Sequence, residues 1–118
     1  MEMQTLLTIY DLRPQLSVVN SPNCRRKRSG TVTSVTLHYN GPAVGVFGNP
    51  KLELRHVIEI DVPNHQQRIH ADSLMYHFVV LSDGSIWQTR DLELQAWHCR
   101  NFDGNEYSLA VHLPLGGR

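Results

Sequence analysis

The sequence predicts an α/β fold, a mixed central β-sheet flanked by helices, on three observations. Apolar runs with strand character recur at residues 32–40, 76–81, 86–90 and 107–113. A segment with helical spacing, Leu54, Val57, Ile58 and Val62, separates the first of these from the second. Asp83-Gly84 sits between the second and third, where a chain that doubles back needs a residue tolerant of positive φ. The order strand, helix, hairpin, strand is that of a sheet with helical cover.

Residues 6–16 read as a short strand ended by Arg13-Pro14, since proline turns its predecessor away from helix. Pro, Asn, Ser and Arg dominate residues 17–30, which read as a mobile loop. In residues 32–40, Thr33, Val35, Leu37 and Tyr39 alternate with Val32, Ser34, Thr36 and His38. Leu37 is expected to point into the core and His38 the other way, at the carboxyl end of the strand. Gly41-Pro42 stops that strand, and residues 45–50 form a second loop. A helix is expected from about residue 50 to 61, with Pro50 in its first turn and Pro63 marking the boundary. Asn64 could cap a second short helix over residues 65–71, where the pattern is ambiguous. Residues 76–81 and 86–90 form the hairpin, residues 101–105 read as a loop, and Tyr107, Leu109, Val111 and Leu113 alternate with Ser108, Ala110 and His112 in a last strand.

With 118 residues, 41% hydrophobic and 19% charged, the chain is expected to fold as one domain, residues 1–118, with a loop-rich segment over residues 1–31. Eleven Lys and Arg balance eleven Asp and Glu, which argues against a general nucleic-acid binder. The basic cluster Arg25-Arg26-Lys27-Arg28 reads as a solvated loop facing outward, or else as a contact to an anionic polymer. Cys24 and Cys99 allow at most one bridge and decide nothing about compartment. The N-terminus lacks the basic opening and apolar stretch of a signal peptide, and no apolar run approaches the ~20 residues that span a bilayer. No membrane partner is expected.

An ordered set of motifs carries a resemblance: His38 at a strand end, Tyr76-His77-Phe78 followed by Asp83-Gly84, Trp97-His98, and Asn105 just before Tyr107-Ser108-Leu109. Over residues 32–117 the chain resembles the type 2 N-acetylmuramoyl-L-alanine amidases, the family of the amidase-type phage lysozymes and the peptidoglycan recognition proteins. The resemblance implies peptidoglycan as partner, Zn²⁺ as cofactor, and hydrolysis of the amide between N-acetylmuramic acid and L-alanine. It implies action on the bacterial cell wall, by a phage-encoded protein held in the cytoplasm until lysis or by one exported by other means. A non-catalytic peptidoglycan-binding module is the alternative.

By resemblance His38 is the first zinc ligand, which suits an imidazole fixed at a strand end. Tyr76 lies beside the metal and is the catalytic candidate, its phenol donating to the developing oxyanion. Otherwise it is a core aromatic. His98 and Asn105 match positions lining the groove for the stem peptide, and Asn105 can both donate and accept. Trp97 either stacks on a sugar or fills the core. His56, His65 and His70 show no spacing that joins them to other ligands, only one of Tyr76 and His77 can face the cleft, and His112 reads as packed or surface. The family's other two zinc ligands are expected after a helix that follows the last strand, so the fold is expected to be incomplete at its C-terminus and zinc weak or absent in this chain alone.

Overall fold

The computed structural model describes residues 7–21, 26–40, 48–98 and 102–116. Its five-stranded sheet has the order β1-β4-β3-β5-β2, from β1 (Ile9–Asp11), β2 (Ser34–Asn40), β3 (Phe78–Val80), β4 (Ile86–Gln88) and β5 (Ser108–Gly116). β3 and β4 are the antiparallel hairpin, while β1 on β4, β5 on β3 and β2 on β5 are parallel. The sheet is mixed, as the sequence predicts.

The hairpin loop is longer than an Asp-Gly pair alone requires. Leu81 donates its N–H to Ser85 and accepts from Gly84, and only Gly84, at φ 84°, takes a positive angle. Asp83 instead accepts from the Ser85 backbone and hydroxyl, so the aspartate closes the loop through its side chain.

Between β2 and β3 runs an unbroken helical stretch: α1 (Pro50–His56), a π-turn (Val57–Asp61) and α2 (Val62–Arg68). Asn49 caps α1 by accepting from the Leu52 N–H at 3.2 Å, with Pro50 at the first position, where its missing N–H costs nothing. Pro63 does not end the helix, and Asn64 caps nothing. A proline ring inside a regular helix collides with the carbonyl four residues back. The π-turn, closed by the Val62 N–H on the Val57 carbonyl, lies just ahead of Pro63 and provides the slack that lets the helix continue.

This helical stretch covers one face of the sheet. Val57 and Val62 pack with Val79 of β3 and with Leu81 just after it, and Leu12, Leu16 and Leu74 complete the cluster. His38 lies on the covered side and Leu37 does not, the reverse of the expected orientation: Leu37 is 62% exposed, beside exposed Val35 and Tyr39. Alternation separates two faces without saying which one the helix will choose.

Residues 101–105 were expected as loop, but Phe102–Tyr107 is a short helix, α3. Its Gly and Asn content disfavours helix, so tertiary contacts decide. The buried Glu106 carboxylate accepts from the N–H groups of Ser29 and Gly30 at 2.6 and 3.1 Å and from the Gln95 amide at 2.6 Å. Arg28 reaches inward rather than out, donating to the carbonyls of Glu106, Leu92 and Leu94. The outward-facing reading of the basic cluster therefore fails at this residue, and Cys24, Arg25 and Cys99 lie outside the described residues. A buried Arg90–Asp72 ion pair at 2.9 Å, with the Arg90 Nε–H on the Gln95 carbonyl, holds the segment after β4 against residues 72–74.

Glu53 binds helix to hairpin. Fully buried, it accepts from the Gly48 N–H, the Ser82 N–H and the Ser82 hydroxyl at 2.8, 2.8 and 2.6 Å. Glu53→Ala strands these donors in the interior, so urea titration should show a loss of about 2–4 kcal/mol. A loss below about 0.5 kcal/mol would contradict the assigned role.

Candidate functional site: a histidine cluster around Tyr76

β2 and β5 run side by side in a register that pairs His38 with His112, and both face the helical cover. Tyr76 precedes β3 and lies among these rings. Its phenol stacks on the His112 imidazole, with centroids 4.5 Å apart and planes 4° from parallel. His65 from α2 meets the phenol edge-on at 5.1 Å, and His38 sits at 5.4 Å with a 40° tilt. His98, from the segment before α3, brings Nδ1 to 2.8 Å from His38 Nε2. The Asn105 side-chain oxygen accepts from the His98 N–H at 3.1 Å, so α3 orients that segment.

Three of the residues singled out from the sequence, His38, Tyr76 and His98, thus stand together, with Asn105 supporting His98. Trp97 packs beside Ala71, Met75, Ala96 and Ala110, the core alternative for that residue. His77 points elsewhere: it accepts from the Ala110 N–H through Nδ1 at 3.0 Å, so its proton is on Nε2, which reaches the Leu94 carbonyl at 2.8 Å.

The structure adds four residues that sequence reasoning left aside. His65 accepts from the Met75 N–H at 2.9 Å through Nδ1 and turns its ring to Tyr76. His112 is only 2% exposed, and neither ring nitrogen has a hydrogen-bond partner among the described residues. Asp61 on the π-turn lies 3.9 Å from His112 Nε2 and 3.4 Å from His56 Nδ1. Alternation already put His112 opposite Leu109 and Val111; with parallel pairing to residues 32–40, that would have placed it beside His38. The His56–Asp61 contact had no sequence signal. Residues five apart on a regular helix point about 140° apart, and only the π-turn brings them together.

Burial makes this a cluster of neutral imidazoles. His65, His98 and His112 are each held down to about 4 by desolvation first and by neighbouring histidines second, and desolvation also lowers His38. Burial, then the Asp61 charge, pushes the Tyr76 phenol up to about 12, so it is a proton donor at neutral pH. Desolvation raises Asp61, opposed by His56.

The family resemblance implies a zinc, and the donor set decides whether one fits. A catalytic zinc takes three protein donors and leaves one position open. Among the described residues no three His, Cys, Asp or Glu side chains are arranged to hold one ion. His38 and His98 direct their nitrogens at each other, at a separation that a shared hydrogen fills. The residues described do not fit a catalytic zinc.

His77 is also held down to about 4 by burial, which makes four such imidazoles. In the unfolded chain each titrates near ~6.5. As pH falls from ~6.5 to ~4 the unfolded state takes up protons that the folded state refuses, so stability is present above this window and lost through it. At pH 5 unfolding should take up roughly three to four protons per molecule, and the urea midpoint should drop steeply between pH 7 and pH 5. A flat midpoint over that range would refute the neutral cluster.

Comparison of the sequence with curated proteins gives no match. Among solved structures, the chain is similar to peptidoglycan recognition protein LE in complex with tracheal cytotoxin, a monomeric diaminopimelic acid-type peptidoglycan. The TM-score is 0.71 at 17% identity, covering 90% of this chain and 59% of that one. It is similar to bumblebee peptidoglycan recognition protein SA at TM-score 0.68 and 17% identity, covering 92% and 61%. It also resembles the N-acetylmuramoyl-L-alanine amidase LysC from Clostridium intestinale, at TM-score 0.51 and 14% identity, covering 96% and 61%. The chain therefore spans about three-fifths of the length of these structures, and at such identities they show the shared fold. The family model described as N-acetylmuramoyl-L-alanine amidase matches residues 28–113, most of the sequence, and the chain belongs to that family.

Proposed function

We propose that the cluster around Tyr76 receives a muramyl peptide, and that the reaction served is hydrolysis of the amide between N-acetylmuramic acid and L-alanine in the bacterial cell wall. The observation that carries this reading is the convergence of a protonated phenol with the His38–His98 pair in a chain of the amidase family. The Tyr76 hydroxyl can donate to an amide oxygen, in the ground state and more strongly as negative charge develops there. The mutual contact of neutral His38 and His98 takes one nitrogen of each ring, His38 keeps Nδ1 for a polar group of an extended peptide, and Asn105 holds His98 in place. The tracheal cytotoxin bound by the recognition protein of similar fold supports a muramyl peptide as the ligand class.

Zinc-dependent cleavage, implied by the resemblance, needs donors beyond those the described residues bring together, and His38 is the ligand this chain would contribute. The same observation favours a second reading, in which the chain by itself binds peptidoglycan without cutting it. No helix among the described residues is long and apolar enough to cross a membrane.

Incubated with purified peptidoglycan, the chain should sediment with the wall, and Tyr76→Phe should weaken binding by about fivefold, the worth of one hydrogen bond. Elemental analysis after dialysis should find well below one zinc per chain, and little soluble peptide should be released. About one zinc per chain together with peptide release would establish the enzyme in this chain alone; failure to bind wall or muramyl dipeptide would remove both readings.

A further inference from the structure

The helical stretch carries an irregularity, and four buried polar atoms beside it, His56 Nδ1, Asp61 Oδ2 and both ring nitrogens of His112, have no hydrogen-bond partner among the described residues. Buried polar groups are rarely left so, and the two that face each other, Asp61 Oδ2 and His112 Nε2, call for one explanation. The Asp61 Oδ2–His112 Nε2 separation, 3.9 Å, is long for a direct hydrogen bond and within the span of one bridging water, whereas the 3.4 Å between Asp61 Oδ1 and His56 Nδ1 leaves no room for one. The π-turn is what aims Asp61 here, and His112 presents the flat of its ring to Tyr76 on the other side.

We propose that Asp61 and His112 are positioning residues for Tyr76. Through one buried water the Asp61 carboxylate accepts from Nε2–H of His112, leaving Nδ1 unprotonated and fixing one tautomer and one ring orientation. The imidazole so held is the platform on which the phenol stacks, and it sets where the Tyr76 hydroxyl points within the cluster. Neither residue needs to touch the ligand. The chain is Asp61, water, His112 face, Tyr76 hydroxyl, and its function rests on the muramyl-peptide reading above.

The test separates this device from that reading. Long-range ¹H–¹⁵N spectra of the full chain at pH 7.5 should show His112 as a single Nε2–H tautomer, with the Tyr76 ring protons shifted upfield by the stacked imidazole. Asp61→Asn should leave the far-UV circular dichroism unchanged, mix the His112 tautomers, move the Tyr76 ring resonances and weaken muramyl dipeptide binding by about fivefold. His112→Phe, which keeps a stacking ring and removes both nitrogens, covers the case in which Asp61→Asn fails to fold. It should retain the ring-current shift while broadening the Tyr76 resonances, with a similar loss of affinity. An unchanged His112 tautomer in Asp61→Asn, or full muramyl dipeptide affinity in His112→Phe, would overturn the proposal. Absence of muramyl dipeptide binding by the parent chain would instead sink the functional reading, with the tautomer result standing on its own.

Discussion

The site depends on the parallel pairing of β2 with β5. In that register His38 stands beside His112, and Thr36 meets Ser108 hydroxyl to hydroxyl at 2.7 Å one step along the row. A slip of one residue would turn every side chain of β2 over, sending His38 to the open face and an aliphatic residue into the cluster. The pairing is in turn fixed at β5 by His77, whose ring takes the Ala110 N–H in place of a strand neighbour. A side chain thus completes the sheet's hydrogen bonding at the point where β3 begins.

A layer of four imidazoles, His38, His65, His98 and His112, and the Asp61 carboxylate under a helix is an unusual thing for a small domain to bury. It is tolerated because the imidazoles give up their charge, so that the cost is that of neutral amphipathic rings rather than of cations. Tyr76 fills the middle of the layer and touches three of those rings through its π-faces and edges. The aromatic packing brings the polar atoms together, and the polar atoms explain why the packing there is not aliphatic.

Much of the fold could be read from residues alone, for reasons that are local. The alternation around His38, the apolar run before Asp83-Gly84 and the spacing of Leu54, Val57 and Ile58 each express one element's own periodicity. What could not be read involves two elements at once. The orientation of Leu37 depends on which face the helix covers, α3 exists because Glu106 finds donors on residues 29, 30 and 95, and Arg28 turns inward toward carbonyls far along the chain. The same division runs through the site. His38, Tyr76 and His98 were visible as an ordered series, whereas Asp61 depends on a helix distortion that Pro63 hints at without locating.

The face of the sheet turned away from the helix has its own consequence. Among the described residues β2 ends the strand order, and its outward row is Val35, Leu37 and Tyr39, all exposed. Natural sheets usually keep a free backbone margin and a greasy surface apart, blunting one with lysine or proline when the other is present. Here the two coincide on one strand, so concentrated solutions of the chain should meet one another first along this border, and a single lysine in place of Leu37 is the economical remedy for handling it.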